Sequence, residues 1–215
     1  MTTTVAPRGA GVLEIAEIVP VTEAEGPGRR FALWVQGCPL RCPGCCNPEM
    51  LPLDRGKSVS VDELLLEIGV WKRLHDIEGI TLLGGEPFAQ AAGLAVVARM
   101  VREQGLTVMT FSGYTLEELE QMFDPAVDEL LRHTDVLVDG PYLRQQPETR
   151  RRWIGSANQR VHFLSDRYRA DDPCWQLPNS LEIRLRGNEL SVNGFPAPKA
   201  GRMWTRLRPM PGWRS

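Results

Sequence analysis

The chain has 215 residues, of which 42% are hydrophobic and 24% charged, and a net charge of −2. That composition suits a soluble globular protein of one domain, or one domain with a small appendage, with apolar material for a sizeable core. The near balance of charge gives no reason to expect nucleic acid or an anionic membrane as partner, and no apolar stretch approaches a membrane span.

In chain order, the opening residues 1–8 lack a basic stretch followed by an apolar core, so they read as a frayed terminus rather than a signal peptide. A reducing cytoplasm is the expected location. Residues 31–35 (FALWV) form a short apolar run that predicts a buried strand. The strand leads into Cys38, Cys42 and Cys45, spaced C-x3-C-x2-C. Three thiolates on one short loop can hold three irons of a cubane cluster and leave the fourth open to a small ligand. Structural zinc and iron–sulfur sites usually close all four positions with protein ligands. A zinc site would want a fourth Cys or His at matching distance, and none follows: Cys174 is distant, and His75, His133 and His162 are scattered. Five cysteines without a secretory segment fit a disulfide framework poorly.

Further along, Ser60 and Glu63 make a capping box, and Val61, Leu64, Leu65, Ile68 and Trp71 fall on one helical face behind it. Residues 79–83 (GITLL) predict a second strand, broken by Gly84-Gly85. A helix is expected from about 89 toward 104, stopped by Gly105. Residues 106–111 predict a third strand. Thr115 and Glu118 form another capping box, with Leu116, Leu119, Met122 and Phe123 as a helical stripe, and residues 135–139 predict a fourth strand stopped by Gly140-Pro141.

Strands alternating with helices are the pattern of parallel βαβ units, whose chemistry sits beyond the C-terminal ends of the strands. The cysteine loop, Gly84-Gly85-Glu86-Pro87, Ser112-Gly113-Tyr114 and Asp139-Gly140-Pro141 each follow a predicted strand, so all four are expected at one rim. After residue 141 come Arg144, Arg150, Arg151, Arg152 and Arg160, a locally basic stretch, and a further strand at 161–164. Residues 181–186 (LEIRLR), the turn Gly187-Asn188 and residues 190–192 predict a β-hairpin with one wet face. The tail from Pro196 is expected to be irregular.

Glu25-Gly26-Pro27-Gly28-Arg29-Arg30-Phe31 leading into Gln36-Gly37-Cys38, Cys42 and Cys45, with Asn47 soon after and Gly84-Gly85-Glu86-Pro87 further on, resembles the radical S-adenosylmethionine (SAM) superfamily. Within it, Pro43-Gly44-Cys45, the run from Asp135 to Tyr142 and the run from Gly155 to Arg160 are similar to glycyl-radical-enzyme activases, above all those of anaerobic ribonucleotide reductase. The pyruvate formate-lyase activases are a more distant likeness. The resemblance covers roughly residues 20–165.

The resemblance implies an α/β fold: a partial (β/α) barrel of the radical SAM type at 21–172, an N-terminal extension at 1–20 and a C-terminal extension carrying the hairpin at 173–215. It implies a [4Fe-4S] cluster on Cys38, Cys42 and Cys45, with SAM chelating the open iron. Gly84, Gly85 and Glu86 would meet the SAM amine, Ser112 and Asp139 would lie on SAM-binding loops, and Gly44 and Cys46 would lie near the adenine. The implied chemistry is reductive cleavage of SAM to a 5′-deoxyadenosyl radical that takes a hydrogen atom from a glycine of a large glycyl-radical enzyme. A reductant such as flavodoxin or ferredoxin would supply the electron.

Read alone, several of these residues have plainer roles. Gly pairs usually make turns, Glu86 would be a solvated turn carboxylate, and Ser112 and Asp139 turn residues. Arg150, Arg151 and Arg152 read as a solvated face, Gln159 and Arg160 as edge fasteners, and Cys174 as a half-buried small residue. Cys46 stands where the family commonly has an aromatic or His, and packing is the reading favoured. Two other functions fit the motifs: a radical SAM enzyme acting on a peptide or small molecule, and a non-catalytic iron–sulfur or zinc module.

Overall fold

A computed structural model describes residues 11–187 and 189–195; the tail predicted to be irregular and the opening residues predicted to fray lie outside them. The strands are β1 (Val12–Thr22), β2 (Arg30–Val35), β3 (Lys57–Ser60), β4 (Gly79–Gly84), β5 (Thr107–Phe111), β6 (Val136–Asp139) and β7 (Arg160–Phe163). They form one seven-stranded sheet in the order β3-β1-β2-β4-β5-β6-β7. The four central strands β2, β4, β5 and β6 run parallel, while β1, β3 and β7 are antiparallel to their neighbours. The fold is α/β with a central mixed sheet. No described helix is long and apolar enough to cross a membrane.

Four helices complete the core: α1 (Val61–His75), α2 (Ala91–Glu103), α3 (Leu116–Glu120) and α4 (Pro125–Arg132). The parallel strands read as continuous apolar runs because both of their faces are covered. Phe31, Leu33 and Val35 on β2, with Ile80 and Leu82 on β4, point to the side where Leu64, Ile68, Leu94 and Val97 of the helices pack. Their neighbours Ala32, Trp34 and Leu83 point to the other side. There Met109, Val136 and Val138 meet Trp153, Ile154, Phe163 and Trp175. The helices thus cover one face, and the chain after β6 covers much of the other.

Both predicted capping boxes are present, at Ser60–Glu63 and Thr115–Glu118. The helix after Thr115 is shorter than its apolar stripe suggested. It stops at Glu120, and Phe123 takes a left-handed φ of 50° with its ring 86% exposed. The chain turns there because Asp124 caps a new helix, accepting the Ala126 N–H, with Pro125 in the first turn. Sequence reading missed β1, β3 and α4, and it placed a boundary at residue 20, inside β1.

The N-terminal ends of the parallel strands are closed by Arg30, which is fully buried. Its guanidinium donates to Thr81 Oγ1 at 2.7 Å, to the Pro27 carbonyl and Thr107 Oγ1 at 3.0 Å, and to the Ile80 carbonyl. Burial pushes its pKa down, but these acceptors satisfy the donors that burial would otherwise strand.

The predicted hairpin is present as β8 (Leu181–Arg186) and β9 (Glu189–Gly194), paired antiparallel. Its orientation runs against the usual rule. Glu182 accepts the Glu23 N–H at 2.7 Å and Arg184 donates to the Val21 carbonyl at 2.9 Å, while Ile183 and Leu185 are 51% and 72% exposed. The polar edge of the chain beside β1 offers these charges partners, so they turn inward. Before the hairpin, Trp175 packs edge-on against Trp153 at 5.1 Å and Phe163 at 5.3 Å. Cutting the chain after Asp172 should therefore uncover the Trp153 cluster. We expect a loss toward the lower end of the about 3–5 kcal/mol seen on deleting a core aromatic, since Trp175 is half-buried. A cut after Ser180 should cost less. Thermal unfolding of the two truncations decides, and equal midpoints would show that Trp175 contributes nothing.

Candidate functional site at the ends of the parallel strands

The loops that follow β2, β4, β5 and β6 enclose a cleft of about 770 Å³. Cys38, Cys42 and Cys45 line it from the first loop, Gly84, Gly85 and Glu86 from the second, Ser112 and Gly113 from the third, and Gly140 and Tyr142 from the fourth. Cys46 lines it too, whereas Gly44 and Asp139 do not. Parallel strands leave their C-terminal ends on one edge, so four sequence-distant motifs meet without any long excursion of the chain.

The cysteine loop is held from below. Gln36 Nε2 donates to the carbonyls of Glu49 at 3.1 Å and Pro52 at 2.7 Å, and Gly37 N–H to the Met50 carbonyl at 2.9 Å. Between the first two cysteines Arg41 adopts a left-handed φ of 48°. Gly44 carries φ +75°, with Arg144 packed against its Cα. All the cysteines are free thiols. Burial pushes Cys38 up. The Cys46 thiol, hydrogen-bonded to Cys45, brings Cys45 down to about 6, and the same contact pushes Cys46 up. Among the described residues no three Cys, His, Asp or Glu side chains converge on a point where one ion would sit. A cubane does not ask for that, because each thiolate takes a different iron.

Gly84 and Gly85 are glycine because protein backbone is close. A Cβ on Gly84, at φ +107°, would lie 2.7 Å from Val35 N, and one on Gly85 2.3 Å from the Gly37 carbonyl oxygen. Gly85 N–H donates to Val35 O at 2.8 Å and Glu86 N–H to Gly37 O at 2.9 Å, tying this loop to the cysteine loop. Glu86 is not a solvated turn residue: it is 1% exposed. Its Oε1 accepts Phe88 N–H and Ser112 Oγ at 3.0 Å, and its Oε2 accepts Gly113 N–H at 2.8 Å. Ser112 Oγ in turn accepts Tyr114 N–H at 3.0 Å.

Asp139 is buried behind the rim. It accepts Leu116 N–H at 2.7 Å, Arg160 Nε at 3.1 Å and Arg160 Nη2 at 2.5 Å, with His162 Nε2 at 3.0 Å. Burial alone would raise its pKa, but Arg160, the Leu116 amide and His162 hold it below the usual value. Gln159 fastens two loops, accepting Gly155 and Ser156 N–H and donating to the Gly140 carbonyl at 3.0 Å. The Arg150, Arg151 and Arg152 run is not one solvated face. Arg151 pairs with Glu148 at 2.5 Å and donates to the Gln159 carbonyl, and Arg152 lies over the Trp153 ring at 4.0 Å. Sequence reading passed over Phe111, Tyr142 and Phe195 as lining residues. Tyr142 stood within a quoted motif; Phe195 carried no signal at all.

Two buried carboxylates, Glu86 and Glu25, are pushed up to about 7 by burial. Each binds its proton more tightly folded than unfolded. Its stabilisation is complete below the ordinary value of 4.5 and is lost as pH rises through 7. Each is worth at most about 3 kcal/mol by the pKa difference. The unfolding midpoint should fall between about pH 5 and 8. Glu25→Gln keeps the acceptor for Asn193 and should flatten that fall, and an unchanged slope would remove Glu25 from the account.

Comparison with known proteins agrees with this geometry. Residues 24–162 match the family model described as a 4Fe-4S single cluster domain. The chain is similar to the anaerobic ribonucleoside-triphosphate reductase-activating protein of Vibrio cholerae, 34% identical over 151 residues that cover 66% of this chain and 93% of the relative. That of Salmonella typhimurium is 34% identical over 152 residues, 67% of this chain and 95% of the relative. Pyruvate formate-lyase 1-activating enzyme of Escherichia coli is 32% identical over 142 residues, 64% of this chain but 54% of that longer protein.

Proposed function

The chain belongs to the 4Fe-4S single cluster domain family and to that of the anaerobic ribonucleoside-triphosphate reductase-activating proteins, and we propose that it is a radical SAM enzyme installing a glycyl radical in a partner of that reductase kind. The observation that carries this reading is one cleft that gathers Cys38, Cys42 and Cys45 with the Gly84-Gly85-Glu86 loop. The donor set fits a [4Fe-4S] cluster with one iron left to an outside ligand. Three thiols share the cleft, and the fourth lining cysteine, Cys46, is engaged with Cys45.

When bound, the cluster and SAM together supply a 5′-deoxyadenosyl radical that removes a hydrogen atom from the substrate glycine. The chain's own residues bind, orient and exclude water. Gly85 brings its loop against Gly37, fixing the spacing between the thiols and Glu86. Glu86 Oε2, which takes a single hydrogen bond among the described residues, is the acceptor for the SAM ammonium. Ser112 is held at the wall by Glu86 and Tyr114. The backbone at Gly44 and Cys46 is the adenine side. Asp139 is a positioning residue: behind the rim it ties the end of β6 to the start of α3 through the Leu116 amide and to β7 through Arg160.

The parallel order β2-β4-β5-β6 with the four described α-helices on one face supports a partial (β/α) barrel of the radical SAM type in residues 21–172, extended at its edge by β1. Residues 173–215 form a C-terminal extension carrying the hairpin. The electron comes from a small reductant such as flavodoxin or ferredoxin, and the enzyme works in the cytoplasm, where thiolates stay reduced.

The test is anaerobic reconstitution with iron, sulfide, reductant and SAM, first alone and then with a glycyl-radical enzyme from the same genome. Production of 5′-deoxyadenosine and a glycyl-radical signal by electron paramagnetic resonance is the expected result. SAM cleavage without any glycyl radical would direct the reading to a peptide or small-molecule substrate.

A further inference from the structure

A second cleft, of about 1500 Å³, opens beside the cysteine cleft. The two are continuous, since Cys46, Asn47, Leu83, Tyr142, Gly155 and Phe195 line both. Its floor is Trp34, on the sheet face opposite the helices. One wall is the loop around Glu148, and the other is the end of β9 from Val192 to Phe195. The hairpin lies beyond residue 162, where the family match ends.

This wall is built rather than draped. Asn193 is 9% exposed, and its Nδ2 donates to Glu25 Oε1 at 3.1 Å and Thr22 Oγ1 at 3.0 Å. Gly194 takes φ +106°, where a Cβ would stand 2.4 Å from the Ser180 carbonyl and 2.8 Å from Ala24 Cβ. Phe195 N–H donates to Ser180 O at 3.1 Å. The Phe195 ring then stacks on Phe111 with centroids 6.0 Å apart and planes 21° apart. Phe111 ends β5 just before Ser112, so Phe195 stands where one cleft passes into the other.

The chemistry of the lining points to the occupant. Trp34, Tyr142 and Phe195 give the second cleft the aromatic surface found where proteins recognise chains. Of the acidic side chains that line it, Glu148 is paired with Arg151 and Glu25 is buried against Asn193, so the exposed Glu17 and Glu49 give it its charge, and no described Lys, Arg or His lines it. On the activase reading, which this inference rests on, we propose that the second cleft receives the partner's polypeptide segment in extended form, with neutral or basic residues beside its glycine, and that Phe195 on the C-terminal hairpin is the specificity-determining residue at its inner end.

The experiment compares wild type, Phe195→Ala and Phe195→Tyr in the reconstituted full chain. Glycyl-radical installation is measured against partner concentration, and SAM cleavage is measured without partner. In Phe195→Ala, kcat/KM for installation should fall by about tenfold or more relative to the variant's own uncoupled cleavage, mainly through KM, and Tyr should restore it. Coupled and uncoupled rates that change by the same factor, or not at all, overturn the inference while leaving the activase reading intact. A wild type that cleaves SAM but installs no glycyl radical overturns both. Partner variants with Glu or Lys beside the glycine test the charge: the Glu form should be activated less well at low salt, and equal activation removes the charge preference.

Discussion

Alanine in place of Cys38, Cys42 or Cys45, one at a time, is expected to bring bound iron from about four per chain to near zero after anaerobic reconstitution. These thiols face one cleft from one loop, so losing one leaves two irons without protein ligands. Cys174→Ala should retain full iron. That residue does not line the cleft; it lies half-buried before the hairpin, where its carbonyl accepts Arg152 Nη1 at 3.1 Å. Cys46→Ala is the sharper control. Cys46 lines the cleft and touches Cys45, yet stands outside the C-x3-C-x2-C spacing. It too should retain the cluster. Iron and sulfide analysis with the visible absorption band reads the series. Iron retained after Cys42→Ala, or lost after Cys174→Ala, would overturn the ligand set.

The convergence of the four loops was legible because it depends on little. Once residues 31–35, 79–83, 106–111 and 135–139 are parallel strands, their C-terminal ends share an edge whatever the detail of packing. What depended on three-dimensional neighbours was hidden. Glu86 reads as a turn residue, because its burial arises only where loops from β4 and β5 close over it. Arg151 and Arg152 read as solvated because Glu148 and Trp153 are too near in sequence to betray a folded-back loop. The hairpin alternates cleanly, but alternation does not say which face turns inward. Here Glu182 and Arg184 do, because the chain beside β1 offers them backbone partners. β1 itself was legible and overlooked. Leu13, Ile15, Val19 and Thr22 are its buried residues, and the first two lie either side of Glu14 at the period of two that a strand requires.

Glu86→Gln should weaken SAM binding by about tenfold or more, since a charge-assisted hydrogen bond to an ammonium is worth roughly 1.5–3 kcal/mol. The amide also faces a local conflict. Its NH2 must meet either Phe88 N–H or Gly113 N–H, both donors, so one backbone hydrogen bond is lost wherever it points. Ser112→Ala separates the two effects. It removes one donor to Oε1 but leaves the charge and the Gly113 contact. If Glu86 only positions the β5 loop, the two variants should lose similar affinity. If it receives the SAM ammonium, the Gln variant should be much the weaker. The pH dependence carries the same distinction. Burial holds Glu86 near 7, so below that pH the carboxyl is neutral and must give up its proton before it can pair with an ammonium. Wild-type affinity for SAM should therefore fall between about pH 8 and pH 6, and the fall should be reduced in Glu86→Gln, which has no proton to lose. SAM titrations of the reconstituted proteins at both pH values measure it. An undiminished slope in the Gln variant would place the titrating group elsewhere and leave Glu86 as the residue that holds Ser112 and Gly113 in place.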